Sequence, residues 1–147
     1  MNQLLCPAKM IDPVNPTAAA TSVLPLRSDT PEWIIEAIKK LDALDKLPPG
    51  WDSYGGKALR ADVRDFAVKV LGWLETDDLP VPAVVLGSGG TVQFEWSNQG
   101  REVELEVLAP GSLSLLLVCP DGTMAEAELG NNLPETLRRL AGWLSHG

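Results

Sequence analysis

Asp52 stands directly after Trp51 and two residues before Tyr54, in the stretch Leu47-Pro48-Pro49-Gly50-Trp51-Asp52-Ser53-Tyr54-Gly55-Gly56-Lys57. A carboxylate beside two aromatic rings is the chemistry of a sugar site, where rings cover apolar faces and the acid bonds a hydroxyl or moves a proton. The same aspartate in a Pro- and Gly-rich turn can instead accept nearby backbone N–H groups and fix the turn's shape. The second role is favoured, because spacing fixes no further titratable group near Asp52.

The other acids that stand out are Glu95, Glu102, Glu104, Glu106, Glu126 and Glu128, each on the polar phase of a run alternating with apolar residues. On neighbouring strands these glutamates share one sheet face. A solvated surface is the plainest account, since outward charge is routine in half-exposed sheets. The functional accounts are a basic partner or a divalent cation. The cation is the weaker, because hard metals need converging oxygens and not acids spread over a flat face.

Most catalytic sets are missing. His146 is the only histidine and stands beside the last residue, where chains fray, so a Ser-His-Asp or Cys-His site has no held base. Cys6 and Cys119 with one histidine offer no zinc spacing. Gly87-Ser88-Gly89-Gly90 lacks the Lys-Ser/Thr ending of a phosphate loop and leads into a strand, so it is read as a hairpin turn. No catalytic residue, metal or cofactor is expected.

The chain carries a formal charge of -8, which disfavours any binder of nucleic-acid phosphates. No apolar run approaches the roughly 20 residues of a membrane span. No secretory signal pattern opens the sequence. Two cysteines make no disulfide framework, so reduced thiols and a cytoplasmic location are expected. Five tryptophans are read first as bulky packing and second as a binding surface.

Periodicity supplies the elements that position these residues. Residues 1–29 are rich in Pro, Ala, Thr and Ser and read as a loosely ordered arm. Thr30-Pro31-Glu32 opens a helix, with Thr30 as cap and Pro31 as its first residue. Its stripe is Ile34, Ala37, Ile38, Leu41 and Leu44. A second helix is predicted from about Leu59 to Glu75, with Leu59, Val63, Phe66, Val70, Trp73 and Leu74 inward.

From Ala83 the period becomes two, and strands are predicted over Val84–Leu86, Thr91–Ser97, Arg101–Leu108, Ser112–Cys119 and Thr123–Leu129, joined by Gly-containing turns. Pro134-Glu135 opens a terminal helix with Leu137, Leu140, Ala141 and Leu144 inward. The fold class is α+β: two N-terminal helices, an antiparallel meander of about five strands and a C-terminal helix, with the helices on one sheet face. Residues 30–147 form the single domain.

The Leu47–Lys57 stretch, with the helix through Phe66 and Leu71, resembles an uncharacterised family of small bacterial proteins whose signature is roughly L-P-x-x-W-D-G-Y-G-A. The likeness continues through Leu79-Pro80-Val81-Pro82, Phe94-Glu95-Trp96 and Arg101-Glu102-Val103-Glu104-Leu105-Glu106, covering about residues 44–108. It departs at Ser53 and Gly56, where the pattern more often has Gly and Ala. The resemblance implies a shared fold and supplies no activity.

Three functions are carried forward. The first is a non-enzymatic, acidic protein-binding module of adaptor, antitoxin-like or immunity-like type. It would bind a protein, a basic one by charge, and neither nucleic acid nor membrane. Its candidate binding residues are Trp51, Asp52, Tyr54, Glu102, Glu104 and Glu106. The second is a hydrolase or sugar-active enzyme using Asp52 with a sheet glutamate. The third is a chaperone-like or structural homodimer formed through a sheet edge or the terminal helix.

Overall fold

The structure is a computed structural model that describes residues 30–74 and 79–146. The arm expected over residues 1–29 lies outside the described residues. Helices α1 (Glu32–Leu44) and α2 (Ala61–Trp73) precede strands β1 (Ala83–Leu86), β2 (Val92–Asn98), β3 (Arg101–Ala109), β4 (Ser112–Val118) and β5 (Met124–Leu129), and α3 (Leu133–His146) ends the chain. The strands pair antiparallel in sequence order, β1-β2-β3-β4-β5. The predicted α+β order is the observed one.

Alternation in the strands decides which face the helices cover. Val92, Phe94 and Trp96 on β2, Val103, Leu105 and Val107 on β3, and Leu113, Leu115 and Leu117 on β4 are all buried. These nine share one face, because register pairs Phe94 with Leu105 and Leu105 with Leu115. All three helices pack against that face. Beneath it, Leu137, Leu140, Ala141 and Leu144 of α3 are buried with Val63, Ala67, Val70 and Leu71 of α2. The opposite face carries no helix among the described residues.

Two helix details differ from the sequence prediction. The N-cap position of α1 is Pro31, with φ -57° and ψ 144°, one residue beyond Thr30. The N–H groups of Ile34 and Ile35 both reach the Pro31 carbonyl, at 3.0 and 3.3 Å, so the first turn closes one residue later than Thr30 would allow. Likewise α2 starts at Ala61, after an extended Arg60 (ψ 136°), because the Leu59 segment is still docked on the sheet.

The tryptophans serve mainly as packing. Trp33 is buried and meets buried Trp96 edge-to-face at 6.0 Å, joining α1 to β2. Such pairs contribute about 0.5–1.5 kcal/mol beyond area burial. Trp96 Nε1 donates to the Pro80 carbonyl at 3.0 Å, which satisfies its polar end and fixes the entry into β1. Phe66 and Trp73 are only partly buried and stack edge-to-face at 5.7 Å.

Cys119, just beyond β4, is buried and disulfide-bonded. This departs from the expectation of reduced thiols and removes the cysteine argument for a reducing compartment. The chain's other cysteine, Cys6, lies outside the described residues. No described helix is long and apolar enough to cross a membrane.

Candidate functional site

Prolines and glycines fold the 50–57 loop back on itself. Gly50 (φ 80°) and Gly55 (φ 84°) take the left-handed backbone that glycine permits, and Gly50 donates its N–H to the Gly56 carbonyl at 2.7 Å. Inside this closure Asp52 Oδ1 accepts the N–H groups of Tyr54 and Gly56, at 2.9 and 2.8 Å. The Tyr54 N–H, then the Gly56 N–H, hold the carboxyl below the ordinary aspartate range. Asp52 is therefore a fixed anion that ties the turn, and its hydrogen bonds stay within that turn.

The two aromatic neighbours are placed differently. Trp51 is partly buried, and its Nε1 donates to the Lys57 carbonyl at 2.9 Å, so its polar edge also serves the loop. Tyr54 is 91% exposed and makes no ring contact with Trp51. Trp51 and Asp52 thus shape the loop, while Tyr54 stands free on its tip.

The loop is docked on the sheet. Lys57 donates its N–H to the Ser88 carbonyl at 2.8 Å, and Arg60 its N–H to the Gly90 carbonyl at 3.1 Å. The segment after the loop therefore lies along the β1–β2 turn. The next residue in that turn, Thr91, donates its hydroxyl to Glu106 Oε2 at 2.7 Å. Arg60 also donates a guanidinium N–H to the Leu108 carbonyl at 3.2 Å. The loop's exit and the Glu106 end of β3 are thus joined at one end of the sheet.

The uncovered face carries the acids in rows set by register. Glu95 of β2 lies opposite Glu104 of β3, which lies opposite Leu116 of β4, which lies opposite Glu126 of β5. A second row runs Gln93, Glu106, Ser114 and Glu128, and a third Ser97, Glu102, Val118 and Met124. The six glutamates do share one face, as their spacing predicted. Sequence reading missed Leu116 and Val118, which sit half-buried between the acidic columns. The Leu115-Leu116-Leu117 run hides the phase of β4, and only the register against β3 reveals it.

Arg101 is the sole cation on the five strands, and its guanidinium lies over the Trp143 ring of α3, 5.4 Å from the centroid. The ion pairs of the described residues join helices and loops: Arg64 bonds Asp42 at 2.5 Å and Asp45 at 3.7 Å, linking α2 to α1. None of the six glutamates has a cationic partner among the described residues. A shallow depression of about 420 Å³ follows β4 and β5, lined by Ser114, Leu116, Glu126 and Glu128.

No family model, curated protein or solved structure matches this chain.

Proposed function

We propose that this protein is a non-enzymatic binding module of adaptor, antitoxin-like or immunity-like type, and that its uncovered sheet face receives a basic protein. One observation carries the reading: six glutamates occupy that face without a cation among the described residues, around the half-buried Leu116 and Val118. Like charges facing each other across a sheet destabilise it mildly, so the arrangement opposes folding in the free protein and favours a cationic partner. Leu116 and Val118 give that partner apolar surface to bury, and the acids set its approach and register. Asp52 does not strengthen the enzymatic alternative, because the bonds it makes, both through Oδ1, fix its own turn.

Replacing Glu102, Glu104 and Glu106 together with Gln tests this directly. Wild-type protein used as bait should capture a basic protein from native lysate at low salt and lose it as salt rises. The triple variant should capture less at every salt concentration while remaining folded. Equal titration of wild type and variant by the purified partner would remove the acidic face from the interaction.

A further inference from the structure

The two edges of the sheet are built differently. β1 has only four residues, and Pro80 and Pro82 precede it, so that edge is short and the chain leading into it is missing two donors. Lys40 Nζ also donates to the Pro82 carbonyl there, at 3.2 Å. β5 has six residues and no proline, and all of them pair with β4. Nothing among the described residues pairs with its far side. Those outward N–H and C=O groups form a template for another strand.

The surroundings of β5 select what that strand can be. Ala125, Ala127 and Leu129 lie on the helix side, yet they are only half-buried, because the helices pack mainly beneath β1, β2 and β3. Small alanines at an uncovered edge leave room for bulky apolar side chains alongside them. On the other side, Glu126 and Glu128 are exposed. In the antiparallel pairing of two copies centred on Ala127, one residue from full overlap, Glu126 would face Glu128 in both directions, which opposes self-association. A strand with Lys or Arg at those positions gains cross-strand ion pairs instead.

We propose that β5 is a docking edge that accepts, as a sixth strand, an extended protein segment in which Lys or Arg alternates with bulky apolar residues. This rests on the reading of the protein as a binder of basic proteins, and it names the mode of binding. The added backbone bonds to the outward groups of Met124–Leu129. Its cations meet Glu126 and Glu128, and its apolar side chains cover Ala125 and Ala127.

The probe is a short peptide of alternating Lys and Val, compared with the same peptide N-methylated at every second backbone nitrogen. Calorimetric titration at low salt should show binding that falls about tenfold or more on N-methylation, since that chemistry removes strand hydrogen bonds and keeps charge. Exchange of the Met124–Leu129 amides should slow on binding. Replacing Glu126 and Glu128 with Gln should weaken binding by roughly two- to thirtyfold, with circular dichroism confirming the fold.

Equal binding of the N-methylated peptide, or unchanged exchange in β5, overturns the edge. If such binding still requires Glu102, Glu104 and Glu106, the broader function stands and docking moves to the open face. If neither peptide binds at low salt, both readings fail. Concentration-dependent dimerisation of the free protein, with protection of β5, makes a second copy the occupant and overturns the proposal.

Discussion

Glu95 and Glu104 are direct cross-strand neighbours on the uncovered face of the sheet, one on β2 and one on β3. Nothing cationic among the described residues separates or neutralises them. Glu104→Gln should therefore raise stability by about 0.2–1 kcal/mol at low ionic strength. The gain should shrink as salt screens the pair. Urea unfolding of wild type and variant across a salt series measures it. A variant no more stable at low salt would mean that the two carboxylates do not feel each other.

Gly90 couples the loop segment to the sheet and has no room for a side chain. Its φ is 87°, and a Cβ there would stand 2.8 Å from the Ala58 carbonyl oxygen, a backbone atom that cannot swing away. Gly90→Ala should lower stability by about 2 kcal/mol or more, combining left-handed strain with displacement of the Ala58–Arg60 segment. Thermal and urea unfolding give the value. A loss below half of that would show that the segment moves freely.

Ser53 holds a left-handed backbone, φ 66°, a conformation that glycine adopts without strain. An L-residue pays about 1–2 kcal/mol for that conformation, and the greater freedom of glycine in the unfolded chain returns part of it. Ser53→Gly should stabilise the protein by about 0.5–1 kcal/mol. The melting temperature should rise with Tyr54 still exposed, which fluorescence quenching can follow. A lower melting temperature would mean that the Ser53 side chain supports the loop.

Much of this architecture was legible because the strands alternate cleanly. Val92-Gln93-Phe94-Glu95-Trp96 and Val103 to Val107 declare their buried and exposed faces without a structure, and Gly-containing turns mark their ends. The six-glutamate face followed from that alternation alone. The apolar centre of the face did not, because three consecutive leucines in β4 satisfy either phase until register chooses. Trp33 falls outside the predicted α1 stripe, although it immediately precedes Ile34 and is about as deeply buried. A helix buried against a sheet and a neighbouring helix presents a wider face than a single i, i+3, i+4 line. The docking of residues 57–60 on the β1–β2 turn was also hidden, since it depends on backbone bonds that carry no side-chain signature.

Asp52 gives the loop a pH dependence whose sign follows from its bonds. The N–H groups of Tyr54 and Gly56 hold its folded-state pKa below that of an ordinary aspartate. The stabilisation is therefore fully present above the unfolded-state pKa and is lost as pH falls through the lower folded-state value. Asp121 is shifted the same way by the Thr123 hydroxyl and N–H, so wild-type acid sensitivity alone would not isolate Asp52. The difference between wild type and Asp52→Asn removes that contribution. Asparagine keeps an acceptor oxygen but carries no charge, so the variant should be less stable at neutral pH. The deficit should hold steady down to the ordinary aspartate range and close as pH falls through the lowered folded-state value. Urea unfolding at a series of pH values measures it. A deficit that stays constant into acid would mean that Asp52 supports the turn by shape alone and that its charge is not felt by the backbone donors.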